Sequence, residues 1–125
     1  MSKTKNVLIV EDDLLHVFFL KRAIAHLGHN VIGSTGDGSK AIELAIEHVP
    51  EIILMDITLA GKFNGVETAE RIAQHIDCFI IFITGISNAD ILKQTHKLTS
   101  STILSKPITA TMIQKAIKNY SKPRP

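Results

Sequence analysis

Four places in the chain carry side chains suited to chemistry on phosphorus. Glu11, Asp12 and Asp13 are consecutive acids, Asp56 stands by itself, Thr84 precedes Gly85, and Lys106 precedes Pro107. Each group follows a short apolar run, so a rigid backbone would hold it. Crowded carboxylates repel one another, and their pKa values rise unless a cation sits among them. Compact oxygen ligands suit a hard cation. Magnesium takes one or two carboxylates, often with phosphate oxygens completing its shell. A carboxylate can also attack phosphorus and become an aspartyl phosphate. The charge on a transferring phosphoryl group then needs a metal and a fixed cation. Lys106 can be that cation, and Thr84 can donate a hydrogen bond. Together these residues read as a magnesium-dependent phosphoryl acceptor, if the fold gathers them.

The elements between them decide that. Val7–Val10 is a short continuous apolar run, the pattern of a buried strand. Asp13–Leu27 carries apolar residues at helical spacing until Gly28 stops it. Val31–Ser34 predicts a weaker strand, and Ser39–His48 a helix ended by Pro50. Ile52–Met55 predicts a strand, Ile57–Gly65 a loop, Val66–Ile76 a helix and Cys78–Ile83 a third strong strand. Asn88–Leu98 predicts a polar helix and Thr102–Leu104 a short strand; a last helix, capped by Thr109, runs to about Tyr120. Apolar strands alternating with amphipathic helices predict a parallel sheet covered on both faces. The expected fold is a doubly wound five-stranded α/β domain with right-handed crossovers and five flanking helices. Sites in such sheets form at the carboxyl ends of the strands, where these residues fall.

The composition narrows the remaining choices. A chain of 125 residues with 45% hydrophobic and 21% charged residues predicts one folded domain over 1–125, with a core at 6–120 and a tail or start of a linker at 121–125. No apolar run is long enough to span a bilayer, so no membrane insertion is expected. Met1–Lys5 lacks a secretory signal pattern, and the expected compartment is the cytoplasm. Basic and acidic residues number 14 and 12, with no clustered basic face, so direct nucleic-acid binding is not expected. A single cysteine, Cys78, excludes an internal disulfide and a cysteine-based zinc site; it reads as a small buried hydrophobe. His26 and His29 are separated by the helix-breaking Gly28, have no third ligand in evident reach and read as surface residues. Phe18 and Phe19 point about 100° apart on a helix, so one is expected in the core and the other in a partner-facing patch or the flank of a wide apolar stripe.

Val7-Leu-Ile-Val-Glu-Asp-Asp13, Leu54-Met-Asp-Ile57, Phe82-Ile-Thr-Gly85 and Leu104-Ser-Lys-Pro107 resemble the signature blocks of response regulator receiver domains, the phosphoacceptor modules of two-component signalling. The resemblance runs from Asn6 to Tyr120, in order. It implies a flavodoxin-like sheet of order 2-1-3-4-5 and Asp56 as the phosphorylated residue. Glu11 and Asp12 match the acidic pair, Asp12 as a direct Mg2+ ligand and Glu11 acting through water. Asp13 is read instead as a helix-start acid. Thr58 would offer its backbone carbonyl to the metal, Thr84 matches the switch hydroxyl, and Lys106 matches the phosphate-pairing lysine, with its bond to Pro107 in the cis form. The partners implied are a sensor histidine kinase or histidine phosphotransfer protein and a downstream target or fused output domain. Phosphorylation-dependent dimerisation is a further implication.

The sequence also departs from the family pattern. Ala60 stands where a proline is common, and the loop reads one residue longer at Leu59-Ala-Gly61, with Gly65 opening the third helix. Ile103 replaces the usual switch aromatic, and Ile86 with Thr58 would flank the attacking water. Two other readings stand beside the signalling switch. A small hydrolase would usually carry a second acid near its nucleophile, whereas Thr58 occupies the position two after Asp56. A phosphorylation-independent interaction domain would fit Ile103 but not the otherwise complete site. No helix-turn-helix is expected after Tyr120.

Overall fold

The computed structural model describes residues 4–85, 93–95, 98 and 100–121. In chain order the elements are β1 (Asn6–Val10), α1 (Leu14–His26), β2 (Asn30–Thr35), α2 (Gly38–His48), β3 (Ile52–Asp56), α3 (Gly65–Ala73), β4 (Phe79–Thr84), β5 (Ser101–Ser105) and α4 (Ala110–Ser121). All neighbouring strands pair in parallel, in the order β2-β1-β3-β4-β5. The chain runs outward to β2, returns past β1 to β3, and continues to the other edge. The switch in direction therefore lies between β1 and β3, beside Glu11 and Asp56.

The strands that read as continuous apolar runs are the buried ones. Side chains alternate across the sheet, so each strand feeds two cores. Val7, Ile9, Ile52, Leu54, Ile81 and Ile83 pack with Leu20 and Ile24 of α1 and Ile113 and Ile117 of α4. Leu8, Val10, Ile53, Met55, Ile80 and Phe82 pack with Ala41 of α2 and Val66 and Ile72 of α3. Burying each Val, Leu, Ile, Met or Phe side chain among these contributes about 1.5–3 kcal/mol. Ile103 packs against the second core.

Local signals set the element ends. Asp13 caps α1, its Oδ1 accepting from Leu15 N at 3.0 Å and His16 N at 3.4 Å. Gly28 follows that helix with φ +87°, a conformation open to glycine. Thr109 Oγ1 accepts from Met112 N at 3.2 Å and caps α4. Asn64 and Glu67 form a reciprocal capping box that starts α3. The helix α3 ends at Ala73, short of the predicted Ile76. Gln74 N and His75 N bond the carbonyls of Arg71 and Ile72, a tighter spacing that closes the last turn. Val49, between α2 and Pro50, takes φ +44°, a left-handed conformation rare for a β-branched residue.

Three expectations change here. Neither Phe18 nor Phe19 is in the core: they are 60% and 38% exposed. The buried face of α1 is set by Leu20, Ala23 and Ile24, and helical spacing from these turns both phenylalanines outward. His29 is not simply a surface residue, because its Nδ1 accepts from Lys5 N at 2.9 Å and ties the turn before β2 to the approach to β1. Cys78 is half-buried rather than fully buried. Of the predicted helix Asn88–Leu98, residues 93–95 are helical and residue 98 is described; the remainder, with Ile86, lies outside the described residues.

Candidate functional site

The carboxyl ends of β1, β3, β4 and β5 bring Glu11, Asp12, Asp56, Thr84 and Lys106 to one edge of the sheet. Glu11 follows β1 and is 2% exposed; Asp56 ends β3 and Thr84 ends β4, each 4% exposed. Asp56 is the register partner of Ile83, and Thr84 of Ser105. Lys106 comes next, and its backbone N–H donates to Thr84 O at 2.8 Å. The Lys106–Pro107 bond is cis, as the resemblance implied.

The loop after β3 is built around the same acid. Asp56 Oδ1 accepts from Thr58 N at 3.0 Å, a turn that aspartate favours. Asp12 is exposed, and its Oδ2 accepts from Ala60 N at 3.3 Å, tying the acidic pair to the loop. Leu59 is buried in the second core and anchors the segment. Gly65 brings its N–H to Ile57 O at 2.9 Å. A Cβ there would collide with Asp56 O and lie 2.7 Å from Ile57 Cα, so this approach admits only glycine.

One oxygen each from Glu11, Asp12 and Asp56 lie within 4.8 Å of one another. Lys106 Nζ stands 3.9 Å from Glu11 Oε1 and 3.9 Å from Asp56 Oδ2. Burial pushes the Asp56 carboxyl up to about 7, reinforced by a hydrogen bond and repulsion from Glu11 and opposed by Thr58 N–H and Lys106. Burial also works to raise Glu11. The hydrogen bonds from His16 and from Asp13 N–H, the contact with Asp56 and the charge of Lys106 outweigh it and hold Glu11 below its usual range. The pair thus keeps a proton on Asp56 that a cation among the three acids would displace. Three clustered carboxylates with one exposed member fit a hard divalent ion.

His16 belongs to none of the motifs in the sequence. Its Nδ1 lies 2.6 Å from Glu11 Oε1, against a carboxylate whose side chain is 1% exposed. The signal was present: His16 is four residues before Leu20 and eight before Ile24, in line with the buried face of α1. Ser105 is an exposed strand-end residue, and the exposed Gly85 leaves ordinary space beside Lys106 Cδ.

The chain belongs to the response regulator receiver domain family, which matches residues 7–118. It is 29% identical over 114 residues to the transcriptional regulatory protein PdtaR of Mycobacterium tuberculosis, covering 91% of this chain and 55% of that protein. It is 32% identical over 119 residues to the transcriptional regulatory protein MalR of Bacillus subtilis, covering 94% and 50%. The chain therefore spans about half the length of these relatives. The signal receiver domain of a modulated diguanylate cyclase from Desulfovibrio desulfuricans G20 superposes with a TM-score of 0.88 at 33% identity, over 94% of each chain. Membership places the chain in two-component phosphorelay signalling, and receiver domains bind Mg2+ at an acidic pocket. Among the described residues, no helix is long and apolar enough to cross a membrane.

Proposed function

We propose that Asp56 accepts a phosphoryl group from a sensor histidine kinase or a histidine phosphotransfer protein. The observation that carries this is the placement of Asp56: buried, facing Lys106 Nζ at 3.9 Å, and clustered with Glu11 and Asp12. An Asp56 carboxylate oxygen forms a bond to phosphorus as the P–N bond to the donor imidazole breaks, and the imidazole leaves with the electron pair. Asp12, Asp56 and the Thr58 carbonyl would hold Mg2+, with Glu11 acting through water, and the ion would supply charge neutralisation for the transferring group. Lys106 pairs with the phosphoryl oxygens, and the Thr84 hydroxyl moves to bond one of them.

The new charge then biases Thr84, the 88–98 segment and β5 towards a second conformation. Ile103 follows by repacking rather than by an aromatic flip. The reader of that state is a downstream protein or a fused output domain, and a phosphorylation-dependent dimer is one form it can take. Residues 6–120 act as one receiver unit, in the cytoplasm. The chain turns over no substrate beyond its own phosphorylation and dephosphorylation.

The donor docks beside the site. Leu15 and Phe19 of α1, with Lys106, Pro107 and Ile108, line an open cleft of about 410 Å³ that contains His16. Leu14, Leu15 and Phe18 are 81%, 82% and 60% exposed. Exposed apolar surface of this kind suits a partner helix.

The test is intact mass after incubation with Mg2+ and a small acyl phosphate. A base-labile phosphoryl adduct that needs Mg2+ and disappears in Asp56→Asn supports the reading. Uptake unchanged in Asp56→Asn refutes it.

A further inference from the structure

We propose that His16 is a positioning residue that fixes Glu11 for a divalent cation, an inference that rests on the reading of the site above. His16 sits in the first turn of α1 with its side chain 18% exposed. Its Nδ1 meets Glu11 Oε1 at 2.6 Å, while Glu11 Oε2 accepts from Asp13 N at 3.1 Å. Both oxygens of this carboxylate are thereby tied to the start of one helix, which fixes its rotamer as well as satisfying its charge. The imidazole is itself braced: it stacks on Phe19 with centroids 6.0 Å apart and planes 4° from parallel.

Lys106 cannot do this work throughout a cycle. It stands 3.9 Å from Glu11 Oε1 and also 3.9 Å from Asp56 Oδ2. Once Lys106 turns towards an anionic group on Asp56, Glu11 loses that neighbour. His16 comes from a different element and stays. The contact needs only a hydrogen on Nδ1, which one neutral tautomer and the imidazolium both carry. Groups that orient metal ligands in this way commonly set cation affinity.

Substitution separates a hydrogen bond from simple space-filling. Leucine approximates the size of the ring with no donor. Asparagine places an amide nitrogen at the same number of bonds from the backbone as Nδ1, but has no ring. Two readouts are needed: the Mg2+ midpoint from an NMR titration of ¹⁵N-labelled protein, and the rate of phosphoryl adduct formation at low and saturating Mg2+. His16→Leu is expected to raise the Mg2+ midpoint about tenfold and to slow the adduct at low Mg2+ only; His16→Asn is expected to stay within about threefold of wild type. Phe19→Leu, which removes the stacking, is expected to behave as His16→Asn does. If His16→Leu fails to fold, His16→Ala against His16→Asn provides the same contrast. Equal midpoints for wild type and His16→Leu, or His16→Asn as weak as His16→Leu, overturn the inference. A wild type that binds no Mg2+ and forms no adduct overturns the reading of the site, and this inference with it.

Discussion

Lys106 Nζ lies 3.9 Å from Asp56 Oδ2, at the outer limit of an ion pair. The ammonium is about one-third exposed whereas the carboxyl is almost fully buried. Burial favours the neutral form of the acid, and the lysine only partly opposes this. The geometry leaves room between the two groups, which a tight pair would not. Lys106→Ala is expected to fold and to slow phosphoryl uptake from an acyl phosphate by about 10²-fold, the usual cost of losing a charge-stabilising group. Timed intact-mass measurements at saturating Mg2+ check it.

The raised Asp56 carboxyl links stability to pH. It stands at about 7 when folded, against an ordinary value of 3.8. Between these values the folded protein keeps a proton that the unfolded chain has released. Stability from this group is therefore greatest at low pH, falls as the pH rises from about 4 to about 7, and then levels off. Glu11, held below its ordinary value, acts in the opposite sense: its contribution is present above the unfolded pKa and lost as the pH falls through the folded one. In metal-free buffer Asp56→Asn is expected to remove the decline and to be more stable than wild type at pH 8 by about 1–3 kcal/mol. Urea unfolding with a chelator at pH 5 and pH 8 measures this directly.

Mg2+ should stabilise wild type and leave Asp56→Asn much less affected, because the ion binds the folded state alone. An ion displacing the proton on Asp56 also makes that stabilisation larger at pH 8 than at pH 5. Melting temperatures with and without Mg2+ at the two pH values give the comparison.

Val49 carries backbone strain at the end of α2, where its N–H donates to Ala45 O at 2.8 Å. It is 55% exposed and sits at φ +44°. Such a conformation costs a residue with a Cβ roughly 1–2 kcal/mol, and asparagine tolerates it better. Val49→Asn is expected to stabilise the fold by about 0.5–1 kcal/mol with unchanged phosphoryl uptake. Equilibrium unfolding checks the first part and intact mass the second.

The apolar flank of α1 separates a protein donor from a small one. Leu15→Ser with Phe18→Ser removes exposed surface and no core packing. Transfer from a phosphorylated histidine donor is expected to slow about tenfold or more, as for interface anchors, while uptake from an acyl phosphate is unchanged. Loss of both activities together would place the defect in folding instead.

Much of this was legible in the residues because strands buried on both faces leave an uninterrupted apolar signature. Ile52–Met55 could be read as a strand, and Asp56 then had to lie at its end. The same logic placed Thr84 and Lys106. What failed lay on α1. Adjacent phenylalanines suggested a core position, although the phase of Leu20, Ala23 and Ile24 turns both outward. That phase also points His16 inward, but a lone histidine has no signature until the carboxylate it meets is in view. The end of α3 was overestimated because apolar spacing continues to Ile76 after the backbone has tightened. The capping box of Asn64 and Glu67 was a readable start signal for that helix.

The sheet also works as a partition. Alternate residues of β1, β3 and β4 feed opposite layers, so among the described residues Leu20 and Val66 belong to separate clusters on opposite faces of the sheet. Changes in one layer should then add to changes in the other with little coupling. The face carrying α1 and α4 can be re-tailored to a new partner while the α2 and α3 face keeps its own arrangement. The acids at the strand ends answer to both layers at once, so the site is where the two otherwise independent halves of the protein are bound to a common tolerance.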